Sequence, residues 1–594
     1  MFTTRPTLQG TFGMAATTHW LASATAMAVL EDQGNAFDAA VAAAFVLHVV
    51  EPHLNGPAGE VPIILAPVGA PVQVLCGQGP APAAATIEHY TAAGLTHVPG
   101  TGPLAAAVPG AFDAWMLLLR DHGTKPLAEV LRYAIGYAEH GQPVLPQTVK
   151  AIAAVQELFT TEWTTSADVY LPGGQVPVPG SLLRNPALAA TWQRLLAESA
   201  GGSREAEIDT ARRIWSEGFI AQHIADFAAR PARDSSGQRN AGTLTLEDLA
   251  RFSAHYEPPA TFTWNDWTVA KPGLWSQGPV FLQQLALLPD TLDYATPEYL
   301  HLLVEGTKLV MADREAWYGD SADAGVTVED LLAPDYTARR RALIGENASH
   351  ALRPGHVQGR APKLSGLAGV TRPDTPPSAS VGTGEPTVGS DGATRGDTCH
   401  LDVVDRWGNM VSATPSGGWL QSNPVIPGLG FPLGTRLQMT WLEPGLPSSL
   451  VPGRRPRTTL SPSLALRGGE PVMAFGTPGG DQQDQWSFHF FLAVALREQV
   501  AGALDLQGAI DAPNWHTDSF PSSFHPRAME PGSLVVESRV GERTLDELRR
   551  RGHAVTVADP WSEGRLSAVA RDPRTGVLLA AANPRGMQGY AVGR

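Results

Sequence analysis

Gly396-Asp397-Thr398-Cys399-His400-Leu401-Asp402-Val403-Val404-Asp405 is the stretch whose reading decides the fold. Ahead of it, from about His350 to Arg395, the chain is rich in Gly, Pro, Ser and Thr and carries no folding pattern. A strand opening directly after a structureless linker makes sense if the chain is cut before Thr398. Alone, a Thr at a strand start is an ordinary β-branched residue. As a new N-terminus it combines a hydroxyl nucleophile with a free α-amine, whose reference pKa of about 7.7–8.0 suits a general base.

The turn-rich link Asp405-Arg406-Trp407-Gly408-Asn409 predicts a hairpin. Centred on Trp407, antiparallel pairing sets Thr398 opposite Ser416 and His400 opposite Thr414. Residues two apart share a strand face, so these four side chains line one side and Cys399 points to the other. A nucleophilic Cys399 with its neighbour His400 is disfavoured on that ground. Phe475-Gly476-Thr477-Pro478-Gly479-Gly480-Asp481, between a predicted strand and a predicted helix, is a turn whose N–H groups can face an oxyanion. Arg457-Thr458-Thr459-Leu460-Ser461-Pro462 offers further hydroxyls to a substrate.

The remaining texture is globular. The chain has 594 residues, 43% hydrophobic and 17% charged, with a net charge of −15 that argues against nucleic acid or an anionic membrane as partner. Two cysteines, Cys76 and Cys399, exclude a disulfide framework and a four-cysteine metal site, and no metal-ligand spacing stands out. No apolar run approaches the ~20 residues that span a bilayer, and Met1–Pro6 lacks a secretory pattern, so a cytoplasmic location is expected. Helices are predicted at 24–31, 36–50, 127–139, 148–158, from 246, at 297–318 and at 486–496. Strands are predicted at 61–65, 72–76, 401–404, 410–414, 463–466, 472–475, 533–536, 553–557 and 568–570. The fold class is α+β or layered α/β.

In chain order, Gly34-Asn35-Ala36-Phe37-Asp38-Ala39-Ala40, Val108-Pro109-Gly110, Leu244-Thr245-Leu246-Glu247-Asp248-Leu249, Ala312-Asp313-Arg314, the Thr398 segment, Arg455-Pro456, Leu460-Ser461-Pro462 and Thr477-Pro478-Gly479-Gly480 resemble the γ-glutamyltransferase family of N-terminal nucleophile hydrolases. The resemblance covers nearly the whole chain. It implies an α+β, four-layer αββα sandwich, built from a large fragment 1–397 (with 350–397 as linker) and a small catalytic fragment 398–594 that stay together after self-cleavage. It also implies that Thr398 is the nucleophile, that Thr414 supports self-cleavage and that Ser416 is an assisting hydroxyl. Gly479 and Gly480 would supply the oxyanion hole, and no metal or organic cofactor is implied.

The departures concern the substrate. Family enzymes acting on γ-glutamyl compounds hold the α-carboxylate with an Arg where this chain reads Gly79-Pro80-Ala81-Pro82-Ala83-Ala84-Ala85-Thr86-Ile87. They hold the α-amine with an Asp where this chain has Trp441, in Gln438-Met439-Thr440-Trp441. Gly418 replaces an Asn, Thr458-Thr459 replaces a Ser pair, and the short 438–455 segment implies no lid. The expected substrate is a small acyl amide lacking one or both charges of the γ-glutamyl head. Gln438, Trp441, Thr458 and Thr459 would line its site, with Trp441 stacking on the acyl group. The alternatives are a true γ-glutamyltransferase or glutathione hydrolase, and an unprocessed, non-catalytic binding homologue.

Overall fold

The structure is a computed structural model describing residues 2–320, 325–368, 398–525, 527–587 and 589–594. Two seven-stranded sheets of antiparallel neighbours lie face to face. The first runs Leu8–Gly10, Leu578–Ala582, Ser567–Arg571, Glu470–Gly476, Ser463–Arg467, Trp267–Lys271, Ala260–Trp264. The second runs Tyr590–Gly593, Gly13–Thr17, Leu401–Asp405, Met410–Ala413, Val61–Ala66, Gln73–Gly77, His255–Glu257. Met14, Ile64, Val74, Val404, Leu464, Ala474 and Val569 fill the layer between them. Because side chains alternate along a strand, Leu401, Val403 and Cys399 face the other way, into a helix layer that includes Trp20–Glu31, Ala36–Val50 and Ala111–His122. Pro279–Leu287, Pro297–Trp317 and Gln483–Ala501 cover the outer face of the first sheet. The architecture is the expected α+β, four-layer αββα sandwich.

Local signals explain the central helix Ala36–Val50. Asn35 accepts N–H groups of Phe37 and Asp38, and the Asp38 carboxylate returns to the Asn35 N–H, closing a capping box. All fifteen of its residues are buried, which its Ala-rich sequence permits, since its one acidic residue, Asp38, is satisfied by the cap. The predicted helix 148–158 is two pieces, Pro146–Ala154 and Gln156–Thr161, broken at Val155 (φ −116°, ψ 13°). The predicted strands near 533 and 554 exist, but in a separate three-stranded sheet with Trp515–His516. The carboxyl end is woven in: the Arg594 carbonyl accepts from the N–H groups of Thr11, Phe12 and Gly13 at 3.2, 2.7 and 3.3 Å.

The linker expectation reaches too far back. Residues 350–368 are packed: Val357 is buried, the Gly355 carbonyl accepts from Trp317 Nε1 at 3.0 Å, and Ser365 bonds Glu443. Each of these contacts is distant in sequence, so no local pattern announces them. Residues 369–397, the rest of the expected linker, lie outside the described residues.

Candidate active site

The hairpin has the register read from the sequence. Leu401 pairs with Ala413 and Val404 with Met410, and Thr398 bridges Ser416 just beyond the regular ladder. Asp405 fixes the turn by accepting the N–H groups of Trp407, Gly408 and Asn409, each at 3.0 Å. Thr398 and His400 therefore face the gap between the sheets, where both are fully buried. Cys399 faces the helices. Its thiol donates to Glu51 at 3.0 Å, and burial, reinforced by that carboxylate, pushes its pKa well up. Such a protonated, enclosed thiol is not a nucleophile.

Thr398 Oγ1 lies 3.4 Å from Ser416 Oγ, which also accepts from Arg436 Nη2 at 3.1 Å. Arg436 is paired with Glu60, whose backbone exchanges hydrogen bonds with Ser416 at 2.9 and 3.0 Å. Burial raises the Glu60 carboxyl and Arg436 opposes that rise. A buried ion pair thus stands directly behind the hydroxyl that touches Thr398. Sequence reasoning missed this pair. One signal was present: Arg436 is the only charged residue between Trp407 and Leu442.

Thr414 Oγ1 is 3.0 Å from His400 Nδ1. His400 Nε2 is 3.0 Å from both oxygens of Asp402, which also accepts from Ser567 Oγ at 3.0 Å. The His400 ring lies against Gly476, where an added Cβ would sit 2.3 Å from Cε1. Gly476 ends the strand that leads into the Gly479-Gly480 turn, so this turn and Thr398 occupy the same end of the sandwich. Gly479 has φ +130°, and its absent Cβ would fall 2.2 Å from Trp486 Cζ3. Gly480 (φ +57°) opens a single 3-10 turn before the helix Gln483–Ala501.

Gln438 lies on the same one-turn helix as Arg436, Arg436–Met439, with Trp441 two residues beyond it. Gln438 Nε2 donates to the Gly100 carbonyl at 3.3 Å, and its own carbonyl accepts from Arg527 Nη2 at 3.2 Å. Trp441 Nε1 donates to Glu315 at 2.7 Å. The face expected to meet an acyl group carries the Arg527 guanidinium instead, 3.9 Å from the ring. Burial would raise Glu315, but Arg457, Arg314 and Arg527 hold its carboxyl down at about 2. Thr458 is used locally: its N–H goes to the Trp275 carbonyl at 2.9 Å and its hydroxyl accepts from Leu460 N at 3.3 Å. Thr459 Oγ1 is buried and has no hydrogen-bond partner among the described residues.

The arginine-free stretch after Gly79 borders an open cleft of about 600 Å³, lined by Gln78, Ala81, Asp248, His255, Asp320 and Arg455 among others. Cys76, His255 and Glu257 bring donor atoms within 4.8 Å of one another there. Arg455 donates to Cys76 Sγ at 3.1 Å and to Glu257 at 2.5 Å, so a guanidinium already holds the position a cation would take. Among the described residues no helix is long and apolar enough to cross a membrane.

The gamma-glutamyltranspeptidase family model matches residues 22–593. The oxamate amidohydrolase proenzyme of Klebsiella pneumoniae subsp. pneumoniae is 32% identical over 591 residues, 97% of each chain. The solved structure of LmbA2991HD is 69% identical with a TM-score of 0.96 over 100% of both chains. Cephalosporin acylase from Bacillus halodurans is 28% identical with a TM-score of 0.80, over 100% of this chain and 97% of its own.

Proposed function

The chain belongs to the gamma-glutamyltranspeptidase family, and from that premise we propose that it is a self-processing amidohydrolase whose nucleophile is Thr398. Relatives called proenzymes, amidohydrolase and acylase support the general reading. The observation that carries the residue assignment is the line Thr398–Ser416–Arg436, a hydroxyl pair backed by a buried cation. After cleavage the Thr398 α-amine takes the hydroxyl proton as Oγ attacks an amide carbonyl. The N–H groups of Gly479 and Gly480 receive the developing oxyanion. The amine's proton passes to the leaving nitrogen, and water releases the acyl group from Oγ. The substrate is a small acyl amide whose head lacks the γ-glutamyl amine, because no carboxylate stands at position 441 to hold it.

Denaturing electrophoresis and N-terminal sequencing test this. Wild-type protein is expected as two fragments, the smaller beginning Thr-Cys-His, while Thr398→Ala stays one chain. A wild-type chain that remains intact after prolonged incubation would leave the non-catalytic homologue as the better account.

A further inference from the structure

Self-cleavage poses a problem that turnover does not. Before the cut, the Thr398 nitrogen is part of a peptide bond and cannot act as a base. Another group must take the Oγ proton as Oγ attacks the preceding carbonyl. The candidates within two residues on the C-terminal side of Thr398 are a protonated, buried thiol and His400.

We propose that Asp402, His400 and Thr414 form a proton relay that serves the self-cleavage step; this rests on the self-processing reading above. The hydrogen bonds fix the direction of the relay. A carboxylate only accepts, so Asp402 holds the proton of His400 on Nε2, at 3.0 Å. Nδ1 is then an acceptor and takes the Thr414 hydroxyl proton across 3.0 Å. That leaves the lone pairs of Thr414 Oγ1 free to accept on the face it shares with Thr398, two residues along the hairpin from the Thr398–Ser416 bridge and so diagonal to Thr398. All the members are buried, and Ser567 supplies a second donor to Asp402. Gly476 gives the imidazole its room, since any Cβ there would occupy the ring's position.

The step balances as follows. Thr398 Oγ bonds to the carbonyl carbon of residue 397. Its proton crosses the diagonal of the hairpin through one bridging water to Thr414 Oγ as the Thr414 proton moves to His400 Nδ1, and Asp402 offsets the imidazolium charge. When the tetrahedral carbon expels nitrogen, the proton returns along the same path to the Thr398 nitrogen, giving an amine and an ester. Solvent water then hydrolyses the ester to a free carboxyl at 397 and the Thr398 hydroxyl. Once the amine is free it can serve as the base, and the relay is no longer the sole proton acceptor. Asp402 and His400 act through Thr414 and are positioning residues.

The test follows unprocessed full-length protein over time by intact mass. It also measures the acylation rate of the processed form with p-nitrophenyl acetate. The isosteric Asp402→Asn removes the charge that supports the imidazolium. It is expected to slow self-cleavage at least about 100-fold, and at least about ten times more than it slows acylation. A purely structural distortion would slow both alike. Should Asp402→Asn fold poorly, Thr414→Ser and Thr414→Val decide instead, the first keeping rapid cleavage and the second losing it. A wild type that cleaves while Asp402→Asn cleaves at the same rate overturns the relay alone. A wild type that never cleaves overturns the self-processing reading, and the relay with it.

Discussion

At position 441 an indole stands where the family's γ-glutamyl enzymes place a carboxylate, and its surroundings say what that exchange does. The indole N–H is committed to Glu315 and its face to the Arg527 guanidinium. A substrate ammonium arriving here meets a cation with no free anion beside it. A charge-assisted hydrogen bond is worth about 1.5–3 kcal/mol, or about 10- to 100-fold in rate. Processed enzyme is therefore expected to show a kcat/KM for glutaryl-p-nitroanilide about 10- to 100-fold above that for γ-glutamyl-p-nitroanilide. A preference for the γ-glutamyl compound would return the chain to the γ-glutamyltransferases proper. At this scale the sequence discloses which residues face each other across a hairpin, because strand periodicity and one turn settle Thr398 against Ser416. It does not disclose Glu60 against Arg436. Their backbones are 376 positions apart, and only the finished sheet brings them together.

Elements legible from sequence are those with their own punctuation. The capped helix Ala36–Val50 and the Asp405–Asn409 hairpin are read within a residue or two. The strands Gly13–Thr17 and Leu578–Ala582 are not, since Gly-Met-Ala-Ala-Thr and Leu-Leu-Ala-Ala-Ala have no strand propensity of their own and are strands because neighbours pair with them. The glycine turn was legible by composition, and its geometry sharpens what it demands. At Gly479 both φ +130° and the Trp486 ring forbid a side chain. Gly479→Ala must displace the turn and its N–H groups, lowering kcat of the processed enzyme by about 10²- to 10³-fold. Gly502 is the comparison: at φ +71° with nothing within 4 Å, Gly502→Ala costs about 1–2 kcal/mol of backbone strain. It is expected to lower the melting temperature and leave kcat alone. Undiminished kcat in Gly479→Ala would remove this turn from the oxyanion assignment.

Across the whole molecule, a cut before Thr398 divides the sequence but not the sheets. Both sheets mix strands from residues 1–397 and 398–594: Leu401–Asp405 and Met410–Ala413 lie between Gly13–Thr17 and Val61–Ala66. Fully buried ion pairs cross the same divide, Lys271 with Asp484 at 2.9 Å and Arg457 with Glu315 at 3.0 Å. Parting the fragments would expose unpaired strand edges and buried charges together. Cleaved protein should elute from a gel-filtration column as one peak containing both fragments, separating only in denaturant. Two peaks under native conditions would contradict the interleaved sheets. One more property follows from the Arg594 carbonyl lying on the backbone of Thr11, Phe12 and Gly13. Arg5 also donates to the Gly589 carbonyl at 3.4 Å, so the two terminal segments lie side by side and a flexible linker can join them. A circular permutant could then begin at Thr398, receiving its α-amine when the initiator methionine is removed, with no internal peptide bond left to break. In that rearranged gene, variants unable to mature could still be assayed for turnover, and the two reactions sharing one hydroxyl could be studied apart.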